Sequence, residues 1–287
     1  MCMNLNYGIV DRHKAQYYQG YARIMKFTHF DAHTHTQFET YNEDRDAVIA
    51  RAHDAGIGVI NVGSDKQMSV AAVELANKYP EGVYATIGLH PTDANEGFDY
   101  AFYKELANNK KVVAIGECGL DYFHIEKDGD VTAIKKAQEN IFLEQMRLSH
   151  ELQKPLMIHC RNAMPELIML LKANKDILVA NSVMHFFAGT PEDAKELLAL
   201  GFYFTFGGVI TFVRDYDETV RTIPKERLLS ETDAPFVTPV PHRGKRNEPL
   251  FVLEVEKKLA ELKKIPQELL AEQIVQNIKT VFGIPRN

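Results

Sequence analysis

Histidine and carboxylate recur along this chain at spacings that suit a cation. In Asp31-Ala32-His33-Thr34-His35 two imidazoles stand two residues apart. On an extended backbone such residues project to one face, so both rings can converge on a single ion. Further on come Gly116-Glu117-Cys118-Gly119-Leu120-Asp121, His159-Cys160-Arg161, His185, and Glu231-Thr232-Asp233-Ala234-Pro235. One histidine alone is more often a hydrogen-bonded or surface residue than a ligand. Several together with carboxylates form the donor set of Zn, Mn or Fe, and carboxylates also hold Mg, so the residue types leave the ion open.

These residues make a site only if the fold gathers them. From Met25 onward, short apolar runs alternate with longer segments of helical period, the signature of βα units and a parallel sheet. Strands are predicted at 27–30, 58–62, 83–88, 112–116, 155–159, 182–185, 202–206 and 228–231. Helices are predicted at 44–55, 69–78, 100–108, 132–152, 163–174, 191–200 and 250–263, with a closing helix at 267–277 packed across the barrel or its rim. In 69–78, Val70, Val73, Leu75 and Ala76 leave Glu74 and Lys78 to face water, as an outer helix requires.

Eight such units predict an α/β fold, a single-domain (β/α)8 TIM barrel over 25–287. An open doubly wound sheet would announce itself by a glycine-rich first turn, where this chain has Asp31-Ala32-His33. Barrel active sites collect at the C-terminal ends of strands. His33, His35, Glu117, His159, His185 and Asp233 fall at the ends of five predicted strands, where scattered core histidines would have no reason to gather.

Composition narrows the setting. With 45% hydrophobic and 25% charged residues the chain is an ordinary globular one, neither disordered nor fibrous. A net charge of −6 excludes the strongly basic surface of a protein that coats nucleic acid, so any polyanion contact must be local. Cys2, Cys118 and Cys160 are odd in number and form no CxxC pair, which argues against a disulfide framework and for a reducing, cytoplasmic setting. No apolar run reaches the ~18 residues of a membrane span. Residues 1–24 mix charges with tyrosines, lack a signal-peptide core, and read as an extension or a misassigned start.

From Met25 to the C-terminus the chain resembles the TatD family of metal-dependent hydrolases, a branch of the amidohydrolase-like barrels. The likeness is carried, in order, by His33-x-His35, Gly88-Leu89-His90-Pro91, Gly116-Glu117-Cys118-Gly119-Leu120-Asp121-Tyr122, Phe142 with Gln145, and His159-Cys160-Arg161-Asn162-Ala163. It continues through His185-Phe186-Phe187-Ala188-Gly189 and the run from Glu231-Thr232-Asp233-Ala234-Pro235 to Arg246-Asn247-Glu248-Pro249. The resemblance implies two divalent ions, Mg, Mn or Zn. His33, His35, Glu117 and Asp233 would surround one, and Glu117, His159 and His185 the other, with Glu117 bridging. Asp233 is expected as ligand first and general base second. Two departures fall at the mouth: Thr36-Gln37-Phe38 where the family commonly has a leucine and acidic residues, and Ala188 where it often has a serine.

The activity implied is phosphodiester hydrolysis, foremost 3′–5′ trimming of single-stranded DNA. Deacylation of a small molecule or an aminoacyl ester is the alternative, although Glu117 stands where a carbamylated lysine would favour amidohydrolase chemistry. Arg161 either forks a substrate phosphate or pairs with a site carboxylate. His90 and Tyr122 border the substrate, or serve as a cap and as rim packing. Arg243, Lys245 and Arg246 place three fixed charges beside strand eight, either on substrate phosphate or on a solvated loop. Phe186, Phe187 and Phe212 either stack on bases or belong to the core. A monomer with no protein partner is the default expectation.

Overall fold

A computed structural model describes residues 27–125 and 130–284. The proposed extension 1–24, and Met25 and Lys26 with it, lie outside the described residues. Eight parallel strands pair in sequence order. They are β1 (His29–Thr34), β2 (Ile57–Val62), β3 (Val83–Ile87), β4 (Val112–Asp121), β5 (Leu156–Arg161), β6 (Val183–Met184), β7 (Tyr203–Phe206) and β8 (Leu228–Ser230). The ring closes where Thr34 bridges Ala234 in parallel register. There the His35 amide donates to Ala234 O at 2.8 Å and the Asp233 amide to His33 O at 2.9 Å. The fold is the expected TIM barrel.

Around it run α1 (Arg45–Asp54), α2 (Lys66–Lys78), α3 (Tyr100–Leu106), α4 (Val131–Leu152), α5 (Met164–Ala173), α6 (Pro191–Ala199), α7 (Asp217–Thr222), α8 (Val252–Lys263) and α9 (Gln267–Phe282). Local chemistry starts them. The Asp65 side chain accepts from the Met68 amide, so α2 begins earlier than its apolar spacing indicated. Thr190 and Asp193 form a reciprocal capping box ahead of Pro191 in α6. The inner layer and the inward helix faces make one core, from Phe30, Val59 and Ile60 round to Leu228, Leu259 and Ile274.

Three expectations change. Strand β4 runs on through Asp121 instead of ending at Gly116, because Cys118, Gly119, Leu120 and Asp121 pair in register with Ile158, His159, Cys160 and Arg161. The glycines that resemble a strand end permit close approach: a Cβ on Gly119, whose φ is +134°, would lie 2.0 Å from His159 O. Helix α7 follows β7, where none was predicted. Helix α9 extends to Phe282 and packs on β1, β8 and α8, with Asn277 Nδ2 donating to Leu228 O at 2.8 Å; it covers the seam of the barrel from outside.

Candidate metal centre

The six ligand candidates converge. Strand β1 aims His33 and His35 the same way, with Nε2 atoms 3.1 Å apart. Glu117 then turns one oxygen to each of two donor groups. Its Oε2 lies 3.6 Å from His33 Nε2 and 4.0 Å from His35 Nε2. Its Oε1 lies 3.0 Å from His159 Nδ1 and 3.1 Å from His185 Nε2. Asp233 Oδ1 completes the first group, 3.7 Å from His33 Nε2 and 3.5 Å from His35 Nε2. Donors bound to one ion at ~2.0–2.2 Å stand roughly 3–4 Å from each other. The spacing therefore fits divalent ions, and so does the donor chemistry.

Three of the four rings are held from behind. His35 Nδ1 donates to Val62 O at 2.8 Å, His159 Nε2 faces Asp121 Oδ2 at 3.1 Å, and His185 Nδ1 faces the fully buried Glu231 at 3.4 Å. His33 is the exception, its Nδ1 buried without a partner. Outer acceptors of this kind fix which nitrogen a histidine offers a metal.

The electrostatics are those of a site charged for cations. Burial alone would raise the Glu117 carboxyl, but His185, His90 and His159 hold it well below the ordinary range. Asp233 is treated likewise, with burial opposed by His35 and His33, and its pKa is lowered. Both are anions at neutral pH. His33, fully buried beside His185, is pushed down and keeps a lone pair available.

The surrounding loops explain the placement. Gln145 of α4 clamps the turn at Leu89, accepting its N–H and donating to its O, each at 2.9 Å. This brings His90 Nε2 to 3.4 Å from Glu117 Oε1. Asn247 donates to Thr232 O at 2.9 Å and to Phe236 O at 2.6 Å, bracing the loop that holds Asp233. Left-handed φ values gather at this rim: Asn162 (54°), Phe186 (44°), Asp233 (54°) and Val237 (45°). Such backbone costs energy, most of all for a β-branched residue like Val237, and such strain clusters at functional sites.

The family model described as TatD related DNase matches residues 30–283. The chain belongs to the TatD family. It is 40% identical over 260 residues to the uncharacterized metal-dependent hydrolase YabD of Bacillus subtilis, covering 89% of this chain and 99% of that protein. It is 34% identical over 267 residues to the 3′-5′ ssDNA/RNA exonuclease TatD of Shigella flexneri, covering 89% and 99%. The structure of YjjV, a TatD homologue from Escherichia coli K12, superposes with TM-score 0.81 at 29% identity, over 91% of this chain and all of that one, 100%. As a TatD-family member the protein is a metal-dependent hydrolase.

The residues expected at the substrate divide. His90 Nδ1 caps the turn at Thr92 while its Nε2 faces Glu117. Arg161 is exposed, stacks over the Phe123 ring at 3.8 Å, and pairs with no carboxylate among the described residues. Arg243 stacks over Phe212 at 4.2 Å and donates from Nη1 to Thr238 O at 2.8 Å, and Lys245 is exposed. Arg246 is committed elsewhere: it grips both oxygens of Asp44 at 2.9 and 2.6 Å and Thr40 O at 2.7 Å. Tyr122 lies under Lys135 with its hydroxyl buried, so its ring serves packing. Phe187 is core, whereas Phe212 is exposed.

Phe38, expected at the mouth, stacks on His35; sequence reasoning passed over Phe236, which also walls His35, and Phe123 under Arg161. Exposed aromatics carry no periodic signal that separates them from core. Thr92 and His124 line a cavity of about 560 Å3 with Pro91, Ile125 and Ala137. No described helix is long and apolar enough to cross a membrane.

Proposed function

We propose that this TatD-family hydrolase is a 3′–5′ exodeoxyribonuclease acting on single-stranded DNA with two divalent ions. One observation carries the two-ion part: Glu117 presents Oε2 to His33 and His35, and Oε1 to His159 and His185. A carboxylate divided in this way is the bridging ligand of a paired site. Mg, Mn or Zn, once bound, would polarise the scissile phosphate and bring the pKa of a water toward neutrality.

The chain's own residues supply the rest. Asp233, the more exposed of the two carboxylates at 17% against 7% for Glu117, is placed to take the proton of the attacking water. Arg161 offers a planar fork to a phosphate oxygen, and Phe123 beneath it keeps the guanidinium in place. Arg243 and Lys245 put positive charge on the β8 side of the mouth of an otherwise acidic protein. The name of the Shigella relative supports a single-stranded nucleic acid. The free cysteines Cys118 and Cys160 accord with a cytoplasmic setting.

The test is cleavage of a 5′-labelled single-stranded oligomer by metal-stripped protein, with Mg, Mn or Zn restored and Asp233→Asn as blank. A metal-dependent ladder shrinking from the 3′ end is expected. Silence with every metal, in protein that still binds the ions, would move the reading to the deacylase.

A further inference from the structure

Asp121, at the end of β4, stands behind His159 and takes no part in the hydrolysis itself, yet it is fully buried and doubly bound. Its Oδ1 accepts the amides of Phe123 and His124, each at 3.0 Å. Its Oδ2 faces His159 Nε2 at 3.1 Å and His124 Nδ1 at 2.8 Å. Gln138 of α4 holds the Asp121 backbone from both sides, accepting its N–H and donating to its O at 2.8 Å each. Beyond the His159 ring, Nδ1 looks at Glu117 Oε1 from 3.0 Å. The imidazole is therefore flanked by two carboxylates, one in the metal centre and one behind it.

We propose that Asp121 is a positioning residue: it accepts the Nε2 proton of His159 and so leaves Nδ1 as the lone pair that faces Glu117. The inference rests on the reading of the cluster as a metal centre. A neutral imidazole carries a single N–H, and a ring that donates from Nδ1 cannot ligate through it. The tautomer is decided by the partner of the outer nitrogen, and loss of such a partner typically costs 10–100-fold in metal affinity. His124 and the two amides fix the carboxylate, so the polarity behind His159 is built in before any ion arrives.

The division of labour between the two oxygens makes Asp121→Asn a sharp test. The amide Oδ1 can keep both backbone bonds, which preserves the loop. The NH2 group then replaces Oδ2 and turns a donor toward His159 Nε2. That nitrogen must accept, and the proton moves to Nδ1.

The experiment is a long-range 1H–15N correlation spectrum of the full chain, 15N-labelled on histidine, at a pH above the His159 value, which the bonds to Asp121 and Glu117 raise against the opposing effect of burial. His159 is assigned by its loss in His159→Gln. Wild-type protein is expected in the Nε2–H form and Asp121→Asn in the Nδ1–H form. In parallel, calorimetric titration with Zn2+ should show one of the binding events weakened roughly 10–100-fold in the variant. An Nδ1–H form in wild type, or a variant unchanged in both tautomer and zinc affinity, overturns the role of Asp121. The wild-type tautomer is read without Asp121→Asn, so it stands as a test even where that variant fails to fold. Failure of zinc to bind wild-type protein would instead sink the metal reading on which the inference rests.

Discussion

Asp233 holds an oxygen 3.5 Å from His35 Nε2 on a backbone with φ at 54°. Most side chains resist that left-handed conformation, whereas Asp and Asn tolerate it through local hydrogen bonding. Asp233→Asn therefore removes charge with little backbone penalty. Its melting temperature should stay near wild type while kcat falls by ~10²–10⁴, the range for loss of general-base assistance. Asp233→Ala should lose stability as well. At this scale the candidate ligands, and the clusters they form, were legible in the sequence, because few residue types can hold a cation and the HxH spacing on a strand is restrictive. Arg246 was not, since its partner Asp44 lies 202 positions away and only the fold shows the guanidinium to be taken. Asp121 and Glu231 stood within recognised motifs, but what they do depends on which ring nitrogen they face.

Elements set what those residues can reach. Most boundaries were readable to within a few positions, because hydrophobic period and caps are local. The errors came where glycine misled, in β4, and where a helix was too short to show a period, in α7. At the opposite end of the barrel, His29 Nδ1 on β1 meets the fully buried Glu256 of α8 at 2.5 Å. The Glu256 bond raises the His29 pKa against the opposing effect of burial. A group raised on folding contributes stability that is complete below its unfolded value, ~6.5, and is lost as pH rises through its folded value. The melting temperature should therefore fall more steeply with rising pH above ~6.5 in wild type than in His29→Gln, which keeps a donor that does not titrate. Parallel curves would show that this pair carries no pH dependence.

The basic loop after β8 divides by the same logic. Arg243 and Lys245 are exposed, and Arg246 is spent on Asp44. Replacing Arg243 and Lys245 by alanine should weaken oligonucleotide binding and reduce its salt slope by about 0.7 for each phosphate that is no longer neutralised, leaving a small chromogenic phosphodiester unaffected. Arg246→Ala should do the reverse, costing ~0.2–1 kcal/mol of stability with little change in the slope. Equal impairment on both substrates in the double variant would mean that the loop supports the site and not the strand.

For the molecule as a whole, a protein of net charge −6 binds a polyanion only if its positive charge is local and its carboxylates at the mouth are neutralised. In the proposed reading Arg161 and the loop after β8 would supply the first, and a pair of ions bridged by Glu117 the second. That pairing was readable as a resemblance but not from spacing, since the two donor groups come from β1 and β8 on one side and β5 and β6 on the other. Loading metal-free protein with Mn2+ and recording its electron paramagnetic resonance spectrum tests the pairing most directly. Two ions per chain with an exchange-coupled spectrum are expected, abolished in Glu117→Ala together with activity. A single ion per chain, or two that remain uncoupled in wild type, would contradict the bridged pair.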